Sequence, residues 1–230
     1  MEPQRREIRS YVRREGRMTD SQRRALDELW PRYGVEAPAG RIELAALFGR
    51  DAAVVLEIGF GDGAHLLARA GAEGQRDFLG VEVHRPGVGR VLNRAATANL
   101  ANLRVACHDA VEVLRDWLEP GSLTEIVIYF PDPWPKKRHH KRRLVQPAFL
   151  ALAASRLAPR GLLKLATDWA PYAEHMAATL AGEPSLRNTA GEGAAEGATV
   201  PRPVERPTTR FELRGERLGH AVADFIYEKC

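Results

Sequence analysis

Cysteine is nearly missing from this 230-residue sequence: Cys107 and Cys230 are the only two, and they follow no metal or redox spacing. They read as reduced structural thiols, Cys107 as a small core residue within an apolar run. Long hydrophobic runs are missing too, since no apolar stretch approaches the roughly 18 residues that a membrane span needs. The opening "MEPQRREIRSYVRRE" is charged and has no apolar centre, so no secretory signal is expected. Internal repeats are absent and aromatics, at 7%, are ordinary. These absences lead to the expectation of a cytoplasmic protein with no membrane partner.

Hydrophobic residues make up 44% of the chain, enough for a sizeable core in one domain. The net charge is only +4 although the pI is near 9.3, so the placement of charge matters more than its sum. Residues 1–34 hold nine arginines against six acids. They are expected to form a basic N-terminal arm, with a helix over 21–30 capped from Thr19 to Ser21 and an apolar side of Ala25, Leu26 and Leu29. Residues 35–230 are expected to form the main domain.

From Val54 onward short apolar runs alternate with segments of helical length. The runs are "AVVLEIG" (53–59), "FLGVEV" (78–83), "LRVACH" (103–108), "EIVIYF" (125–130) and "LLKLAT" (162–167). Helices are expected near 63–72, 86–99, 109–118 and 142–158, the last burying Val145, Phe149 and Leu152. This alternation predicts an α/β fold, a doubly wound, mostly parallel sheet with helices on both faces. Residues 181–207, rich in Gly, Ala, Glu and Pro, read as a mobile surface loop, and "AVADFIYEK" (221–229) as a last strand.

The first run leads into "LEIGFGDGAHLL", where Gly59, Gly61 and Gly63 stand between a strand and a helix. Glycines there permit a tight turn and close approach of backbone N–H groups to a ligand. Glu82 ends the next strand, where a carboxylate can accept from both hydroxyls of a ribose. Ala64 occupies the last glycine position of a nicotinamide fingerprint, an exclusion softened because Ala also occurs there. Glu57, two residues before Gly59, suits an amine-bearing or cationic ligand better than a pyrophosphate, and S-adenosyl-L-methionine is such a ligand. Asp109 either accepts from an adenine amino group or caps the helix that follows it; the two roles are compatible.

The most informative stretch is "IYFPDPWPKKRHHKRR" (128–143). Asp132 sits among prolines at the end of a strand, so Glu57, Glu82, Asp109 and Asp132 all fall where open α/β sheets bind ligands. Trp134 either stacks on a base or packs under the turn. The run of 136–143 has six Lys or Arg, two His and no acid, and with the N-terminal arm it fits a polyanion such as nucleic acid.

"LEIGFGDG", "GVEVHRPGVGRVL", "FPDPWPKKRHHKRRLVQPAFL", "ATDWAPYAEHM" and "TTRFELRGERLGHAVADFIYEK" together resemble the bacterial tRNA (guanine-N7-)-methyltransferase family. So does "RSYVRREGRMTDSQRRAL" near the N-terminus, and the resemblance covers nearly the whole chain. It implies a Rossmann-like class I methyltransferase with an antiparallel last strand. It also implies S-adenosyl-L-methionine as cofactor, and tRNA as partner, methylated at N7 of guanine 46 in the variable loop by a monomer or a homodimer. By motif, Glu57, Glu82, Asp109 and Asp132 match cofactor-contacting acids, Asp132 also the catalytic residue, with Gly59, Gly61 and Gly63 forming the cofactor turn. Lys136, Asp168, Thr209, Arg210, Phe211 and Glu212 match substrate positions, Arg210 replacing a usual Lys. No metal is implied. The rival readings are a nicotinamide-dependent oxidoreductase and a non-catalytic tRNA-binding protein.

Overall fold

The structure, a computed structural model, describes residues 9–11, 16–191, 195, 197–206, 212 and 221–230. Its centre is a seven-stranded sheet of β1 (Val54–Ile58), β2 (Asp77–Val81), β3 (Leu103–Ala106), β4 (Leu123–Tyr129), β5 (Leu157–Thr167), β6 (Leu186–Asn188) and β7 (Ala223–Lys229). The spatial order is β3-β2-β1-β4-β5-β7-β6. β7 runs antiparallel to both β5 and β6, while β1 to β5 pair in parallel. The expected α/β class and the antiparallel last strand are therefore both present.

Every residue of β1 and β2 is buried. That is why their sequences run apolar without alternation: each face of the sheet carries its own layer of helices. Val55 faces a core shared with α1 (Asp20–Glu28), α2 (Trp30–Tyr33), α4 (Ala64–Ala72) and α5 (Arg85–Thr97). Val54, Leu56 and Ile58 face the other core, with α3 (Leu44–Phe48), α7 (Pro147–Arg156) and α8 (Ala170–Ala181). Between β3 and β4 lie α6 (Ala110–Glu112) and a π-helical turn, Val113–Trp117.

Several boundaries differ from the sequence reading. α1 starts with a full capping box, Gln22 N–H donating to Thr19 Oγ1 and Thr19 N–H to Gln22 Oε1. It stops at Glu28, and Pro31 takes the first turn of the separate α2, where its missing N–H costs nothing. The helix expected over 142–158 is shortened to α7, again opened by a proline, Pro147, with a 3₁₀ helix at Lys137–Arg142 before it and β5 starting at Leu157. Val145 is fully buried but precedes α7. Within 181–207, expected as a surface loop, Leu186–Asn188 forms the edge strand β6 and Arg206 is buried. No helix among the described residues is long and apolar enough to cross a membrane.

Candidate active site

The order of the strands reverses between β1 and β4, which opens a crevice beyond their carboxyl ends. Each of the five parallel strands carries an acid there. Glu57 lies in β1; Glu82 follows β2; Asp109 lies between β3 and α6; Asp132 is in the turn after β4; Asp168 directly follows β5. Glu57 is buried, Glu82, Asp109 and Asp168 are half-buried and Asp132 is exposed. In-register parallel pairing, with Glu57 opposite Gly80 and Val127, is what gathers them on one edge.

Gly59, Gly61 and Gly63 all have positive φ (72°, 57° and 74°), the left-handed region that side chains disfavour. The turn is braced from β2: Glu82 Oε2 accepts from Gly61 N–H at 3.0 Å, and Oε1 from Val83 and His84 N–H at 2.7 and 2.9 Å. A carboxylate offers about four acceptor sites, so Glu82 retains capacity beyond these three. The first turn of α5 presses against this loop closely enough that a Cβ at Gly87 would lie 2.4 Å from the Gly61 carbonyl oxygen. Asp109 is an N-cap, accepting from Val111 N–H at 2.8 Å.

The turn carrying Asp132 is strained on both sides. Phe130 and Trp134 adopt positive φ, 53° and 45°, a conformation uncommon for bulky residues and concentrated at functional sites. Trp134 is held by packing: its Nε1 donates to the Ser10 carbonyl at 2.9 Å, and the Arg142 guanidinium covers its ring at 4.2 Å. Arg142 also donates to the carbonyls of Arg9 and Tyr11, at 3.2 and 3.1 Å. Arg143 is buried, donating to Pro133 and Pro171 carbonyls and lying over Tyr172. The basic run therefore divides. Arg142 and Arg143 build the turn, which corrects the expectation that Arg142 belongs to a free cationic strip. Lys136, Lys137, Arg138 and Lys141 are exposed, with no ion pair to any described residue. Their charge registers on His139, which desolvation first, and then Arg138, Arg142, Lys136 and Lys141, hold below its ordinary pKa.

A cavity of about 290 Å³ lies beside this turn, lined by residues that include Arg9, Ser10, Asp109, Glu112, Arg142 and Phe149. Among the substrate positions, Lys136 stands at the N-terminus of the 3₁₀ helix. Glu212, expected at a substrate position, is buried, both its oxygens accepting from Arg206 at 2.8 and 2.9 Å. Thr209, Arg210 and Phe211 lie outside the described residues.

Two buried groups escaped the sequence reading. Arg206 packs over the rings of Tyr129 and Phe130, beneath the Asp132 turn, and pairs with Asp224 as well as Glu212. His65, on α4, places Nδ1 2.7 Å from Glu57 Oε2. The signal for His65 was its position eight residues after Glu57 and two after Gly63, in the first turn of α4. Arg206 had no local signal, because Asp224 is eighteen residues away.

Comparison with known proteins bears on the family and the fold. A family model described as "Putative methyltransferase" matches residues 51–225. A tRNA (guanine-N(7)-)-methyltransferase of Halorhodospira halophila is 57% identical over 223 residues, covering 96% of this chain and 95% of that protein. One from Leifsonia xyli is 55% identical over 219 residues, covering 95% and 94%. Among solved structures, the 16S rRNA methyltransferase KamB superposes with a TM-score of 0.57 at 17% identity, over 86% of this chain and 98% of that one. The last likeness bears on the fold alone.

Proposed function

The chain belongs to the tRNA (guanine-N(7)-)-methyltransferase family, and from that premise we propose that it methylates N7 of guanine 46 in the tRNA variable loop. The cofactor is S-adenosyl-L-methionine, which supplies a methyl group on a sulfonium that departs as a neutral thioether. The residues present fit it. Apart from its chain neighbours, a Cβ at Gly59 or Gly61 would meet no atom of the described residues within 4 Å, so the turn fronts open space where a ligand can approach the backbone. Glu57, Glu82 and Asp109 offer acceptors only, matching an ammonium, a ribose diol and an adenine amino group. Asp62 within the turn and Glu57 beside it bring negative charge to this loop, which disfavours the pyrophosphate of a dinucleotide.

Guanine N7 carries a lone pair in the ring plane and no proton, so no general base is needed to create the nucleophile. The protein's task is alignment and electrostatics. Asp132 carries both. Its carboxylate accepts from guanine N1–H and the exocyclic amino group, which selects guanine over adenine, and its charge offsets the positive charge that develops on the ring. Asp168 is suited to the same recognition from the next strand. Lys136 and the exposed cations after it bind the phosphates that deliver the base.

The observation that carries this reading is the exposed Asp132, fixed between two residues of positive φ and adjoining cations without ion-pair partners among the described residues. The test uses unmodified tRNA transcript and labelled cofactor, followed by borohydride and aniline, which cut RNA at N7-methylguanine. One cut in the variable loop is expected. Label without a cut would exclude N7, and a cut elsewhere would exclude position 46.

A further inference from the structure

Glu57 is the only one of the five crevice acids that is buried, at 5% exposure. A long carboxylate side chain on a strand end has three torsions to fix before it can meet a ligand, and fixing them at binding weakens affinity. Here they are fixed beforehand. His65, 6% exposed, approaches Glu57 Oε2 with Nδ1 at 2.7 Å and leaves Oε1 for another partner. An ionised carboxylate only accepts, so the proton of this bond sits on Nδ1.

The far side of the imidazole shows why this is more than a filled core position. Nε2 is buried with no hydrogen-bond partner among the described residues, and so is the hydroxyl of Tyr129. The two rings meet edge to face with centroids 5.0 Å apart. With the proton on Nδ1, Nε2 is an acceptor, and the phenol is a donor, so the two unpartnered atoms are complementary. A purely structural site would be filled more cheaply by apolar side chains, which leave no buried polar atom unmatched. Tyr129 is held in turn by the Arg206 guanidinium over its ring. The chain Glu57–His65–Tyr129–Arg206 thus links the crevice to the C-terminal part of the fold.

We infer that His65 is a positioning residue that holds Glu57 ready for the ammonium group of the cofactor, with Tyr129 fixing the imidazole from behind. The inference rests on the assignment of Glu57 to the cofactor made above. It adds a second layer of orienting contacts behind the first, the arrangement that makes a binding geometry tight.

The test measures S-adenosyl-L-methionine binding to the full chain by calorimetry, and separately kcat and KM for cofactor and for tRNA. His65→Leu removes the donor, and His65→Asn returns one, since the Asn amide nitrogen occupies nearly the position of Nδ1. Leu is expected to raise the cofactor Kd and KM about tenfold, the loss of one hydrogen bond to a charged group. kcat at saturating cofactor and KM for tRNA should stay within about twofold, and Asn should restore most of the cofactor affinity. His65→Met, flexible enough to fill the same space, replaces Leu if that variant does not fold. Wild-type cofactor affinity in the Leu or Met variant overturns the inference, as does an Asn variant as weak as Leu. Glu57→Gln separates the two levels. If it binds cofactor as well as wild type, the Glu57 assignment itself fails; if it is weak while Leu is not, only the role of His65 fails.

Discussion

The guanidinium of Arg142 lies 4.2 Å from the centre of the Trp134 ring, and the same guanidinium reaches the backbone carbonyls of Arg9 and Tyr11. One side chain thereby ties the turn bearing Asp132 to the N-terminal segment. The basic run is not a uniform electrostatic surface. Its C-terminal end is structural, and its N-terminal end faces solvent.

Mutation should separate these halves. Lys136→Ala with Arg138→Ala removes two exposed cations, so the slope of log K for tRNA against log salt should fall by roughly 1.5. Arg142→Ala should leave that slope nearly unchanged. It should instead free residues 9–11, raising trypsin cleavage after Arg9 by roughly tenfold as a cation–π contact and two carbonyl hydrogen bonds are lost. A slope change for Arg142→Ala equal to that of an exposed cation would mean the guanidinium turns outward to RNA.

Asp132→Asn keeps the shape of the side chain and removes its charge. If that charge offsets the cation forming on guanine, kcat should drop about 100-fold or more, the scale seen when a group aimed at developing charge is lost. The tRNA Kd should change by less than about threefold, because affinity comes from phosphate contacts. Retained turnover in the Asn variant would remove Asp132 from the mechanism.

The parts of the fold that could be read from sequence were those whose physics is local. β1 to β4 were located to within a few residues because strands buried on both faces must be apolar throughout. The glycine turn was visible because positive φ at three alternate positions demands glycine. Four of the crevice acids, Glu57, Glu82, Asp109 and Asp132, followed, since each ends an apolar run, whereas Asp168 came only from the family resemblance. β6 was missed for the opposite reason: "LRN" has no pattern of its own and becomes a strand only by pairing with β7, about forty residues on. Arg206 was missed because a buried arginine is intelligible only once Glu212 and Asp224 are seen around it. Trp134 was legible as a choice between packing and base stacking, and its bond to Ser10, 124 residues away, decided for packing.

Arg206 invites its own test. It makes two hydrogen bonds to Glu212, one to Asp224 Oδ2 at 3.0 Å, and a charge contact from Nε to Asp224 Oδ1 at 2.8 Å. Burial pushes the Asp224 carboxyl up, against the pull of the guanidinium. Arg206→Met would take the nearest cation from two buried carboxylates, although Arg202 stays 3.8 Å from Glu212, at a cost of about 3–5 kcal/mol. For a chain of this size that is a fall of roughly 10 °C in melting temperature. Adding Asp224→Asn and Glu212→Gln should recover part of the loss, because the uncompensated charge is then gone. A triple variant no more stable than the single one would show that packing, not charge, sets the cost.

The pH dependence of stability should be dominated on the acid side by Glu125. This β4 residue is nearly fully buried and takes hydrogen bonds or ion pairs from Arg69, Arg76 and Lys164. Burial alone would raise its pKa, but the Arg69 hydrogen bond and the three cations overcome that and lower it from 4.5 to about 2. A carboxylate depressed on folding stabilises the native state fully above its unfolded pKa and loses that contribution as pH falls through the folded value. The window is therefore pH 4.5 down to about 2, and the shift corresponds to about 3 kcal/mol. Chemical denaturation across this range should show stability falling toward low pH. Glu125→Gln should flatten that fall while lowering stability at neutral pH, where three cations would lose their common partner. An unchanged acid limb in the Gln variant would assign the titration to other carboxylates.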